Sequence, residues 1–105
     1  MLSTLIKASV TQRPMYVAVA HTSSPFITAY PWSSSGFGTK YANPATLPAS
    51  TGNGLAFSPD GSAIAVAHGV TPFISAYPWS SSGFGTKYAN PATLPASSGI
   101  GVAFI

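Results

Sequence analysis

Few residues of this chain could take part in acid–base or nucleophilic chemistry. Asp60 is the only residue with a carboxylate side chain among 105 residues, and it lies in the sequence Ser-Pro-Asp-Gly at 58–61. Catalysis by paired carboxylates is therefore excluded within one chain. A Ser-His-Asp triad would have to join Asp60 to His68, at opposite ends of one predicted strand. We expect no enzymatic activity, and we interpret Asp60 as a turn residue.

Histidine is the remaining candidate for metal chemistry. His21 and His68 are 47 residues apart in equivalent sequence contexts, and imidazole is a common zinc ligand, so a symmetric ring of these side chains would invite a metal. The alternative is that each histidine ends a strand and bonds to backbone or water. There is no cysteine, so thiol ligands and disulfides are excluded. We predict no catalytic residue, no cofactor and no metal ligand.

Aromatic and hydroxyl side chains are the best candidates for ligand binding. An aromatic ring beside hydroxyls and an amide is typical of a sugar-binding surface, and repeated shallow sites would give avidity. The candidate residues recur in two sets: Trp32, Tyr41 and Asn43, then Trp79, Tyr88 and Asn90. Tryptophan at a strand end also packs between sheets, so we expect Tyr41 and Tyr88 to be the more exposed residues. Lys40 and Lys87 are predicted to protect an outer strand from edge pairing.

Composition limits the class of protein further. Only 5% of the residues are charged, the net charge is +3, and the four basic residues are scattered. Nucleic-acid binding normally needs clustered bases, so we expect none. No apolar run is long enough to span a membrane, and the N-terminal sequence is a poor signal peptide. With 12% aromatic residues, the chain is expected to be folded and soluble rather than disordered.

An internal repeat organises the chain. The 25 residues 26–50 recur at 73–97, with Thr28 replaced by Ser75 as the single difference, and the offset is 47 residues. A period of this length is typical of arrays of small structural units, propeller blades among them. Ten glycines and ten prolines argue against helical repeats.

One repeat predicts four short strands. Residues 54–58 alternate in side-chain size, 58–61 form a turn, and 62–68 are apolar on both faces, as in a strand buried on both sides. A third strand follows at 73–79 and a weaker fourth at 84–89. We therefore predict an all-β fold, a β-propeller with two four-stranded blades per chain, at about 5–51 and 52–98, followed by a C-terminal strand at 99–105.

Two motifs carry a resemblance to a known family. Ala-Phe-Ser-Pro-Asp-Gly at 56–61, followed by Ala-Ile-Ala-Val-Ala-His at 63–68, resembles the first hairpin of WD-repeat and WD-like propeller blades. Trp32 and Trp79 stand where the WD-repeat tryptophan stands, although serine replaces the aspartate that follows it. The resemblance covers residues 15–105 and implies a propeller architecture.

Two blades cannot close a ring, so we expect a homo-oligomer in which four chains give eight blades, or else three chains give six. The C-terminal segment is predicted to supply the innermost strand of the blade beginning near Met15 in the next chain, through Val102, Ala103, Phe104 and Ile105. The alternative is that Leu5–Val10 does so within its own chain. The function expected is a non-catalytic, self-assembling scaffold or recognition module. The alternatives are a lectin-like carbohydrate binder, a fragment of a longer array, or a designed symmetric propeller.

Overall fold

The computed structural model describes residues 14–105, which form two antiparallel sheets and no helix. The first sheet contains three strands and the second contains four. In chain order the strands are β1 (Met15–Ala20), β2 (Ile27–Ser33), β3 (Gly36–Phe37), β4 (Gly52–Phe57), β5 (Ala63–His68), β6 (Ile74–Ser80) and β7 (Gly83–Phe84). The all-β prediction is confirmed. The described residues include no helix long and apolar enough to cross a membrane.

The first sheet has the order β1-β2-β3. β1 pairs with β2 from Met15 opposite Trp32 to Ala20 opposite Ile27. The connection between them is closed by the amide of His21, which donates to the carbonyl of Phe26 at 3.0 Å. No strand of the described chain pairs with the other side of β1. The predicted start of the first unit at residue 5, and the alternative role of Leu5–Val10, lie outside the described residues.

The second sheet has the order β4-β5-β6-β7 and matches the four strands predicted for one repeat. β4 lies beside β5, with Leu55 opposite Val66 and Phe57 opposite Ile64. β5 and β6 repeat the pairing of β1 and β2 one period later. The second sheet therefore differs from the first by one strand, β4, which covers β5 on the side that β1 leaves open.

The central strand of the second sheet is buried on both faces, as its sequence predicts. Every residue from Ile64 to His68 is buried, including the small alanines that alternate with the branched residues. Alanine on one face permits close approach of the neighbouring sheet, while Ile64 and Val66 fill the other face. The strand is thus apolar on both sides because both sides are covered.

The fourth strand is shorter than the sequence predicts. Strand pairing in β7 ends at Phe84, whereas the predicted strand continued to residue 89. Beyond it the amide of Gly85 donates to the carbonyl of Pro78 at 2.8 Å, and that of Tyr88 to Ala76 at 2.8 Å. Because proline has no N–H, Pro78 cannot return a bond to the outer segment, and a regular ladder is not completed.

The segment after residue 98 begins as β4 begins. The amide of Gly52 donates to the carbonyl of His21, and the amide of Gly99 donates to the carbonyl of His68, both at 3.0 Å. The Asn53 side-chain amide also donates to the carbonyl of Gly99 at 2.8 Å. Residues 99–105 form no strand in the described chain, although their first residue occupies the position that Gly52 occupies one period earlier.

Equivalent valines test whether any strand covers the outer edge of β1, where residues 14–105 supply none. In dilute, monomeric protein, Val66→Ala should lower the free energy of unfolding by about 2 kcal/mol, because Val66 is fully buried and lies opposite Leu55 of β4. Val19→Ala is the matched control; Val19 is 48% exposed, so its replacement should stay within about 0.5 kcal/mol of wild type. Urea unfolding of both variants measures the difference, and equal losses would contradict the open edge of β1.

Candidate functional site

An aromatic cluster joins the two sheets around Trp79. Its indole ring makes edge-to-face contacts with four rings at centroid distances of 5.0–5.3 Å, two from each half of the chain. The cluster consists of Tyr16, Tyr41, Phe57, Trp79 and Phe84. Such pairs stabilise beyond the area they bury, by about 0.5–1.5 kcal/mol each. Trp79 is therefore a packing residue of the interface between the sheets.

A hydrogen bond also joins the two halves of the chain. The hydroxyl of Tyr77, in β6, donates to the carbonyl of Thr46 at 2.8 Å, in the segment that leaves the first sheet. Burial raises the pKa of Tyr77 to about 12, so the hydroxyl stays protonated and remains a donor. The sequence pattern predicted neither this pair nor the role of Tyr16. The 47-residue period is the signal that could have identified the pair, since Tyr30 and Thr93 are the equivalents of Tyr77 and Thr46 in the other repeat.

The residues equivalent to the cluster are exposed in the first sheet. Trp32 corresponds to Trp79 and is 39% exposed, against 4% for Trp79. Phe37, which corresponds to Phe84, is exposed and meets Trp32 edge-on at a centroid distance of 5.0 Å. We call Tyr30, Trp32 and Phe37 the open aromatic face. This face carries the same residue types as the second sheet carries at the inter-sheet interface, but within residues 14–105 no other sheet packs against it.

The opposite end of the described chain carries the complementary rings. Tyr88 corresponds to Tyr41, but it is 50% exposed because residues 14–105 place no third sheet beside it. Tyr41 is half-buried against Trp79, and burial together with the nearby Tyr16 raises its pKa. Of the two tyrosines expected to be exposed, the structure therefore leaves only Tyr88 open.

Two glycines show how closely a tyrosine approaches this interface. A Cβ atom added to Gly83 would lie 3.0 Å from the ring of Tyr41, whereas one added to Gly36 would meet nothing within 4 Å. Both glycines have the same backbone conformation, with φ of +99° and +97°. Tyr41 covers Gly83, whereas no described tyrosine covers Gly36.

The amide candidates for ligand binding are engaged locally. Lys40 Nζ donates to Asn43 Oδ1 at 2.7 Å, and Lys87 Nζ donates to Asn90 Oδ1 at 2.6 Å. Each lysine also donates to the carbonyl of the tyrosine that follows it. The same clamp in both repeats holds the chain as it leaves the sheet. Ligand binding by these asparagines stays a prediction.

The two histidines bond to hydroxyl and backbone groups. His21 Nε2 lies 2.8 Å from Thr28 Oγ1, and His68 Nε2 lies 2.9 Å from Ser75 Oγ. The single difference between the 25-residue copies therefore keeps a hydroxyl in the same place. His68 Nδ1 lies 2.9 Å from the carbonyl of Val70. Since a carbonyl only accepts, Nδ1 carries the proton and Nε2 of the neutral ring accepts from Ser75.

Asp60 performs the turn role that its sequence context predicts. Its Oδ1 accepts hydrogen bonds from Ser62 Oγ, Ser58 Oγ and the amide of Ser62, at 2.7, 2.8 and 3.0 Å. These bonds, led by that from the Ser62 side chain, lower the pKa of Asp60 to about 2. The carboxylate thus closes the β4–β5 turn. Residues 14–105 contain no group of three or more His, Cys, Asp or Glu side chains that could hold a metal ion.

A cleft of about 310 Å³ lies between the start of β1 and the β4–β5 turn. Its lining is mostly apolar and comes from both sheets, through Pro14, Met15, Tyr16, Phe57, Ser58, Pro59 and Gly61. Because it opens beside Pro14, where the described residues begin, we assign no ligand to it.

Burial of His68 predicts a pH dependence of stability. Burial lowers the pKa of His68 below its ordinary value of 6.5, and the charge of Lys87 acts in the same direction, opposed by the bond to Val70. As the pH falls below 6.5, the unfolded chain takes up a proton that the folded chain does not. The free energy of unfolding should therefore be level above neutrality and fall towards about pH 5.

Urea unfolding across this range measures the effect, well above the pH at which Asp60 titrates. His68→Gln removes the titrating group and should flatten the curve between these pH values, whatever its effect on absolute stability. A wild-type curve with no decline would contradict the buried, neutral state of His68.

Comparison of the chain with protein-family models, curated proteins and solved structures finds no match. The resemblance to WD-like blades therefore depends on the motif at 56–61 and on Trp32 and Trp79, and it stays a prediction. The internal repeat gives residues of the interface around Trp79 equivalents 47 residues away. Trp32 in the first sheet is the equivalent of Trp79, and Tyr88 beside the second sheet is the equivalent of Tyr41.

Proposed function

We propose that the 105-residue chain is a non-catalytic scaffold that binds further copies of itself head to tail. In this proposal each sheet is one blade of a WD-like propeller. The C-terminal segment of a neighbouring chain supplies a strand beside β1, where residues 14–105 supply none. The partner is thus the same chain. Asp60 and the two histidines are accounted for by local hydrogen bonds, and none of them calls for a catalytic role.

One observation carries the proposal: Gly99 bonds to His68 as Gly52 bonds to His21. If the chain continues from Gly99 as β4 continues from Gly52, the residues after Gly99 form the inner strand of a third sheet, which lies beside the second sheet. Within residues 14–105 one edge of β1 pairs with no strand, and it is the edge that such a strand fits. An unpaired strand edge offers a row of free amides and carbonyls and binds another strand readily.

The internal repeat gives the register of this pairing. β4 places Leu55 opposite Val66, Ala56 opposite Ala65 and Phe57 opposite Ile64. One period later, the same register places Val102 opposite Val19, Ala103 opposite Ala18 and Phe104 opposite Val17 of the next copy. Every pair is apolar, and Val19, now 48% exposed, would be covered as Val66 is covered.

A head-to-tail contact of this kind is heterologous, so it generates a ring when the rotation closes and a fibre when it does not. Two sheets per chain would give six, eight or ten in a ring of three, four or five copies. Closure would pair the outer edge of every β1 and cover every open aromatic face, whereas a fibre leaves one of each uncovered at its end, which is the reason to favour a ring over a fibre.

Deletion of residues 102–105 tests the proposed strand addition. The truncated chain keeps both described sheets, so it should remain folded but sediment as a single chain, while the full chain sediments as a larger species. Sedimentation velocity at matched concentrations measures this, and circular dichroism checks the fold.

Two substitutions that keep the length serve as controls for the deletion. Val102→Asp places a charge in the pairing segment and should act like the truncation. Val70→Asp places the same charge at an exposed valine in the β5–β6 connection and should leave the assembly intact. A truncated chain that still sediments as the full assembly would contradict strand addition by this segment.

A further inference from the structure

We infer that the open aromatic face of one copy is covered by Tyr88 of the preceding copy, so that residues with the composition of a sugar-binding site form a second assembly contact. This inference rests on the proposed self-association, and it adds a contact between side chains to the pairing of strands. The occupant of the face is a second copy of this chain, because the chain itself contains the complementary surface one repeat away.

The position of Tyr41 is the template for that of Tyr88. Tyr41 meets Trp79 edge-on at 5.0 Å and lies over Gly83. One period later the same arrangement joins Tyr88 to Trp32 and Gly36 of the next copy. Tyr88 and Trp32 are both exposed in the single chain, and nothing lies within 4 Å of a Cβ added to Gly36. Among residues 14–105 the space that Tyr88 requires is therefore open.

A hydrogen bond fixes the same alignment. The Tyr77 hydroxyl donates to the carbonyl of Thr46 across the inter-sheet interface. The identical residues Tyr30 and Thr93 stand one period away, on the open aromatic face and on the segment that carries Tyr88. In the assembly Tyr30 of one copy donates to the carbonyl of Thr93 of the preceding copy.

The C-terminal segment completes the set of rings. Phe57, in β4, contacts Trp79 at a centroid distance of 5.2 Å, and Phe104 is its equivalent in the segment proposed to pair with β1. Trp32 would then be enclosed by Phe37 of its own chain and by Tyr88 and Phe104 of the preceding copy. Ala63 replaces the fourth ring, because it stands where Tyr16 stands in the first sheet.

Fluorescence of Trp32 tests this contact directly. In the variant Trp79→Phe, Trp32 is the only tryptophan, and the substitution removes a buried Nε1 donor that has no acceptor within the described residues. Because Trp79 packs between the two sheets, circular dichroism must first show that this variant keeps the parent fold; if it does not, the Tyr88 variants are compared by sedimentation in the parent chain. As the protein concentration rises and the assembly forms, Trp32 emission should shift to shorter wavelength and its quenching by acrylamide should fall. Sedimentation of the same samples gives the dissociation constant.

Tyr88→Ala and Tyr88→Phe form a matched pair in this background. Aromatic residues at the centre of an interface commonly dominate affinity, so Tyr88→Ala should raise the dissociation constant at least about tenfold and leave Trp32 open to acrylamide. Tyr88→Phe keeps the ring and should behave as the parent. Tyr88 is half exposed in the single chain, so neither variant should alter the fold seen by circular dichroism.

The outcomes separate this contact from self-association itself. If Tyr88→Ala assembles as tightly as Tyr88→Phe, with Trp32 equally protected, the Tyr88 contact is wrong while the proposed function stands. If the unsubstituted chain stays a monomer at every concentration, both are wrong. If the assembly is unaffected and Tyr88→Ala instead abolishes binding to a glycan array, the residue belongs to a sugar site and the contact is wrong.

Discussion

The packing of Trp79 between the two sheets is the contact on which the rest of this structure depends. Rings from both halves of the chain surround it, and the Tyr77–Thr46 hydrogen bond fixes the same interface at a second point. A single unit of a repeat protein cannot bury its hydrophobic face alone, so each unit needs a neighbour. The chain satisfies this requirement once, at the junction of its two halves.

The near-exact repeat then has a physical consequence. Since residues 26–50 and 73–97 differ only at Thr28 and Ser75, most of the surface that receives Tyr41 exists again around Trp32, and the ring that covers it exists again as Tyr88. The same reasoning applies to the strand edge. β2 pairs with β1 as β6 pairs with β5, but among the described residues only β5 is also paired on its other side, by β4. The proposed head-to-tail association therefore needs no surface that the inner interface does not already use.

Much of the fold could be predicted from the sequence, because local chemistry determines it. The Ser-Pro-Asp-Gly turn and the apolar β5 both appear where the pattern places them. The short β7 was not predicted, since the effect of Pro78 on a neighbouring strand depends on pairing. The half-buried state of Tyr41 was also missed, because exposure depends on which sheet lies beside a residue. Tyr41 and Tyr88 lie in identical sequence contexts, but Tyr41 packs against Trp79 while Tyr88 is half exposed.

The molar mass of the native assembly, measured by light scattering behind a sizing column, tests the central claim most directly. The proposed head-to-tail ring predicts one species of three, four or five chains, whose mass fixes the number of sheets in the ring. A single species of 10.7 kDa, the mass of one chain, would contradict self-association.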